Sequence, residues 1–123
     1  MISKKQLNMY LLDIESMSHD YITDKDESVR SFMWTRMNGS LCAGAELGVF
    51  KCYPKGFVSC MSGDVYWLCE GDWKYRLFLD VLRKEYLTSG RDDDEFINQL
   101  GDRIHANLLK NMTEEAKQVL GGE

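Results

Sequence analysis

Apolar and polar positions alternate with two different periods along this chain. Leu7, Tyr10, Leu11, Ile14, Met17 and Tyr21 recur at helical spacing, with Asp13, Glu15 and Asp20 off the stripe, and Ser3 with Gln6 forms a capping-box pattern in front of them. These positions predict a first helix over about Lys4 to Ile22, followed by a polar loop from Thr23 to Asp26.

From Val49 to Glu70 the pattern changes. Turn formers recur every few residues, at Pro54-Lys55-Gly56, Ser62-Gly63 and Gly71, and between them lie short segments rich in Val, Phe, Tyr and Trp. The stretch reads as three short antiparallel strands. With Ser62-Gly63 as the hairpin loop, Met61 faces Asp64, Cys60 faces Val65 and Val58 faces Trp67. Alternation then puts Phe50, Cys52, Val58, Cys60, Val65, Trp67 and Cys69 on one apolar face, the expected core. The other face carries Lys51, Tyr53, Phe57, Ser59, Met61, Tyr66, Leu68 and Glu70. That face is too apolar for plain solvation, so a helix or a partner is expected to cover it.

Ser28 to Leu47 reads two ways. As helix it has Asp26 for an N-cap and Val29, Phe32, Met33 and Met37 as an apolar run. As strands it has Asn38-Gly39, the strongest short hairpin signal in the chain, joining Val29–Met37 to Ser40–Leu47. The strand reading is preferred and extends the meander to four or five strands. A second helix follows over about Asp72 to Leu87, with Trp73, Leu77, Phe78, Val81, Leu82 and Tyr86 apolar, Tyr75, Leu79 and Leu87 on the flanks, burial therefore expected on more than one side, and Gly90 as its stop. A third begins at Asp92-Asp93-Asp94-Glu95, where Asp92 with Glu95 resembles a capping box. Its stripe is Phe96, Ile97, Leu100, Ile104 and Leu108, with Gly101 placed for a close approach. Thr113 caps a short last helix ended by Gly121-Gly122. The expected fold is α+β, one domain over 1–123: an N-terminal helix, a central antiparallel β-meander of three to five strands, and two or three C-terminal helices packed on the sheet.

Composition agrees with a folded chain: 123 residues, 44% hydrophobic and 28% charged, enough to bury a core without staples. No apolar run approaches the roughly 20 residues that span a bilayer. The N-terminus lacks the apolar core of a signal peptide, so the cytoplasm is the expected compartment. Net charge is −5 and unevenly spread, with acids concentrated at Asp13–Glu27 and again after Ser89. An acidic chain lacks the electrostatic footprint for phosphate backbones, which argues against nucleic acid as a direct partner.

Candidate chemistry is sparse. Cys42, Cys52, Cys60 and Cys69 are spaced by ten, eight and nine residues, without the close pairs typical of zinc sites, and are expected as buried thiols rather than metal ligands or disulfides. Cys42 with His105 is the sharpest nucleophile pairing, the basis of a third reading as a small cysteine hydrolase, but nothing in the spacing links them. Capping already explains the acids of Asp92–Glu95, and the glycines match no phosphate loop. No catalytic residue, cofactor or metal is therefore expected.

The expected function is non-catalytic: a protein-binding module, such as a small acidic inhibitor, immunity protein or phage anti-defence protein, that occupies a basic surface of a partner protein. Its candidate contact residues are Asp92, Asp93, Asp94 and Glu95, with Tyr53, Phe57 and Tyr66 on the mixed sheet face, through which a homodimer is also conceivable. The alternative is a small-ligand domain with its pocket between the sheet and the second helix.

Overall fold

A computed structural model describes residues 2–51, 54–59 and 65–121, with side chains at 2–51 and 75–121. Among the described residues five helices build the fold: α1 (Lys4–Thr23), α2 (Glu27–Glu46), α3 (Glu70–Ser89), α4 (Asp94–Lys110) and α5 (Glu114–Gly121). The architecture is all-α, and the expectation of an α+β fold organised on a central sheet is overturned.

α1 is the hub. Its start is the expected capping box: the Gln6 amide donates to Ser3 Oγ, and the Ser3 amide to Gln6 Oε1. It buries Leu7, Leu11, Ile14, Ser18, Tyr21 and Ile22. Steps of three and four residues place these on one broad face, and α2, α3, α4 and α5 all pack against α1. Side-chain contacts set the directions. Arg30 meets Tyr21 while Gly44 lies beside Tyr10, so α2 runs antiparallel to α1. Tyr75 meets Ser18 and Arg83 reaches Ile22, so α3 runs parallel to it. His105 meets Glu15, and α4 ends near Phe50, which packs on Tyr10, so α4 returns antiparallel.

Ser28–Leu47 is helix, not a strand pair. Asp26 caps it by accepting from the Ser28 amide, and the backbone runs through Asn38-Gly39 without the positive φ that a type I′ turn needs at both positions. Met37 and Leu41 are buried and Met33 is half-buried, a four-residue step. Burial of that face against α1 outweighs the local turn preference. The helix stops in a Schellman motif: Gly48 takes φ 79°, the Val49 amide donates to the Gly44 carbonyl at 2.8 Å, and the Gly48 amide to the Ala45 carbonyl at 3.1 Å.

Phe50, expected in the first strand of the meander, instead makes an isolated bridge to Met112. The Lys51 amide donates to the Asn111 carbonyl, and the Thr113 amide to the Val49 carbonyl. β structure elsewhere among the described residues is one two-stranded antiparallel hairpin, β1 (Pro54–Ser59) with β2 (Val65–Cys69). Its register pairs Val58 with Tyr66, one residue from the expected pairing with Trp67. Cys52, Tyr53 and Cys60 lie outside the described residues. The side chains of Phe57, Tyr66, Trp67 and Cys69 lie outside them too, and so do the two sheet faces assigned from alternation.

α3 is longer than expected and turned differently. Tyr75, Leu79 and Leu82 face the core, whereas Leu77 and Val81 are 61% and 53% exposed. More apolar residues are written into this helix than one face can bury, and on the face that turns inward the Tyr75 hydroxyl meets Ser18 Oγ at 2.6 Å. α4 buries Leu100, Ile104 and Leu108 as its stripe predicts. Its cap is Asp93 rather than Asp92, and Gly101 has no atom within 4 Å of a would-be Cβ, so no close approach occurs there. Thr113 Oγ1 accepts from the Ala116 amide and starts α5 as expected. One core cluster takes side chains from all five helices. Among the described residues, no helix is long and apolar enough to cross a membrane.

Candidate functional site

The turn from α3 into α4 collects the acidic residues and an apolar opening. Gly90 ends α3 with φ 65°, and the Arg91 amide donates to Ser89 Oγ. The chain then enters Asp92–Glu95, all exposed. Their surroundings differ. Asp93 accepts from the Phe96 amide as N-cap and takes a two-pronged contact from Arg91, at 2.8 and 2.7 Å. The Arg91 hydrogen bonds hold its carboxyl down at about 2. Asp92 accepts from the Tyr86 hydroxyl at 3.2 Å. Asp94 and Glu95 stand in the first turn of α4, where the helix dipole favours negative charge. Asp93 is thus engaged by both the helix start and Arg91, Asp92 by Tyr86 alone, and all four carboxylates are exposed.

Beside them is an open groove of about 680 Å3 lined by Val81, Lys84, Glu85, Thr88, Ser89 and Phe96. It exists because α3 and α4 each pack closely on α1 and far less closely on each other. The α3 residues of the lining lie mostly at steps of three and four, one helical stripe. Leu77 continues that stripe by one further turn. Arg103 of α4 reaches across to Glu85, and the Arg91 guanidinium lies 5.0 Å from the Phe96 ring centre. Sequence reasoning found the acids but missed the groove. The signal was present in the surplus of apolar residues on α3, Leu77 and Val81 beyond the Tyr75–Leu79–Leu82 face.

A second polar cluster fills the seam between α2 and α3. The Tyr21 hydroxyl donates to Asp80 at 2.6 Å, and the Arg30 guanidinium lies 4.8 Å from the Tyr21 ring centre. Arg76 lies 5.2 Å from the Trp34 ring centre. Arg30 donates to the Tyr21 carbonyl, and Arg83 to those of Ile22 and Asp24. α1 has no basic residue in its own last turn, so guanidiniums from α2 and α3 satisfy its terminal carbonyls. Burial and the nearby Arg30 charge lower the Arg83 pKa. This cluster terminates a helix and is explained by that role.

In the core, Ser18 Oγ donates to the Ile14 carbonyl at 2.7 Å and lies 2.6 Å from the Tyr75 hydroxyl. Burial pushes the Tyr75 hydroxyl well above its ordinary range, with the Ser18 hydrogen bond acting against that shift.

The sequence-predicted chemistry is dispersed. His105 Nδ1 lies 2.5 Å from Glu15 at the surface, while Cys42 is buried in α2 with its thiol 3.9 Å from Asn38 Oδ1. Among the described residues, no three side chains of the metal-ligating types converge. Of the expected contact residues, Asp92, Asp93, Asp94 and Glu95 lie together at the α3–α4 turn. Phe57 and Tyr66 are on neighbouring strands of the hairpin, and Tyr53 is outside the described residues. The side chains that would line a pocket between the sheet and the second helix lie largely outside the described residues. No family model, no curated protein and no solved structure matches this chain.

Proposed function

We propose that this chain is a non-catalytic protein-binding module of the inhibitor, immunity or anti-defence type, acting in the cytoplasm on a partner with a basic surface. The observation that carries the reading is the α3–α4 turn, where Asp92, Asp94 and Glu95 face outward beside an apolar groove. A helix start gains only about 0.3–1 kcal/mol from each nearby acid, and Asp93 already supplies the cap. Asp94 and Glu95 exceed the one cap that the helix start requires. Acidic charge next to apolar surface steers encounter with a basic partner and then holds it by burial. The engagement of His105 by Glu15 and the burial of Cys42 fit a role without nucleophile chemistry.

The test replaces Asp92→Asn, Asp94→Asn and Glu95→Gln together and leaves Asp93 in place, so that the cap survives. Wild type and variant are immobilised and exposed to extract of the producing cell at low and high salt. One stoichiometric basic protein retained by the wild type at low salt, and lost from the variant, is the expected result. Equal retention by both, or none by either, refutes the reading.

A further inference from the structure

We infer that the α3–α4 groove receives an amphipathic helix of the partner, apolar along one face and basic along its edges. The inference rests on the protein-binding reading above and adds where and how the partner docks. Val81 to Ser89 covers about 12 Å of helix, and Leu77 extends the stripe to about 18 Å, some three turns. Residues at i, i+3, i+4 and i+7 of an incoming helix span about 10.5 Å, so the stripe is long enough to take a full set of such anchors. The floor suits such anchors. Val81 is more than half exposed on a helix whose other face is fully buried, and Phe96 is only partly covered by the core. The divergence of α3 from α4 leaves a third side open, at which a helix can seat against both.

Charge selects the occupant. Glu85 is engaged by Arg103 and Asp93 by Arg91. Asp92 accepts from the Tyr86 hydroxyl and keeps its charge exposed, and Asp94 and Glu95 stand beside Phe96 in the first turn of α4. Lys84 is the cation in the lining, and a lysine stem can add apolar surface while its ammonium stays in water. An acidic helix would bring like charge against three carboxylates, and a neutral apolar one would leave them unused. A Lys- or Arg-edged helix satisfies both floor and carboxylates.

The probe is a synthetic Leu/Lys peptide of about 15–20 residues, long enough to form helix, with its leucines on one helical face. A scrambled peptide of the same composition is the control. Backbone amide shifts locate the binding, and fluorescence titration measures it at low and high salt. The expected outcome is shifts at Val81, Thr88, Ser89 and Phe96, with the scrambled peptide at least about tenfold weaker. Val81→Gln, at an exposed position that leaves the core intact, should weaken binding about tenfold at both salts. The triple variant Asp92→Asn, Asp94→Asn, Glu95→Gln should weaken it at low salt only. Shifts centred elsewhere, such as at Met9 and Leu12, overturn the groove as the site, and equal binding of the scrambled peptide overturns the helix. Loss in the triple variant without loss in Val81→Gln leaves the acidic binding face standing and removes the groove. No change in either variant removes both. Light scattering of the protein alone completes the test: a dimer that Val81→Gln dissociates makes a second copy of this chain the occupant and overturns the inference.

Discussion

Ser18 Oγ and the Tyr75 hydroxyl lie 2.6 Å apart in the interface between α1 and α3, both shielded from water. The two groups are not equivalent. Ser18 also donates to the Ile14 carbonyl, whereas the Tyr75 hydroxyl bonds to Ser18. Tyr75→Phe should therefore cost about 0.5–1.5 kcal/mol, the net worth of one hydrogen bond. Ser18→Ala should cost more, about 1–3 kcal/mol, because it strands a buried hydroxyl. Denaturant midpoints of the two variants and the double variant check this. The double variant should be less destabilised than the sum of the singles, since removing both partners leaves no orphan.

Two helical glycines should respond oppositely to alanine. A Cβ at Gly44 would stand 2.6 Å from Phe50 Cδ2 and 2.6 Å from the Tyr10 hydroxyl oxygen. Gly44→Ala should therefore destabilise by about 1–3 kcal/mol through overpacking, despite the helix propensity it gains. At Gly101 nothing lies within 4 Å and φ is not positive. Gly101→Ala should stabilise by about 0.5–1 kcal/mol. Thermal melts of the two variants read the sign directly.

The start of α4 should loosen in acid. Asp93 titrates at about 2 in the folded chain, below the value of about 3.9 for a free aspartate. Its contribution to stability is complete above the unfolded value and is lost as pH falls from about 4 toward 2. The Phe96 amide, which donates to Asp93, reports the change by its chemical shift. Asp93→Asn keeps a capping side chain but no titrating charge, and it should abolish the acid transition at Phe96. A transition that survives in the variant would assign it to another carboxyl.

Much of the helix punctuation could be read from local chemistry. Ser3 with Gln6, Gly90 and Thr113 act where their side chains or backbone freedom place them. So does the α4 stripe, whose polar and apolar residues separate cleanly. α2 was not legible. Its polar and apolar residues are mixed around the axis, and Asn38-Gly39 offers a turn that only burial of Met37 and Leu41 against α1 overrides. The face of α3 was not legible either, because Leu77 and Val81 compete with Leu79 and Leu82 on composition alone. The choice is made by contacts distant in sequence, such as that of Tyr75 with Ser18. The acids of the candidate site were visible as a run, but the groove beside them is a property of how two helices diverge, which no local pattern encodes.

The pairing of Val49–Lys51 with Asn111–Thr113 closes the chain into a ring of about sixty residues, and the entropic cost of such a closure grows only as the logarithm of its length, about 0.6 kcal/mol per doubling. The ring cannot close until α3 and α4 have come back along α1. The α1–α2 pair, joined by Asp24–Asp26, is free of that delay. A refolding chain is therefore expected to acquire its helical hairpin before its ring. In pulse-labelling exchange, the Lys51 and Thr113 amides would gain protection last, after the interior of α1 and α2. The small bridge at Phe50 and Met112 is then a late latch, and the time it takes to close marks completion of the native state.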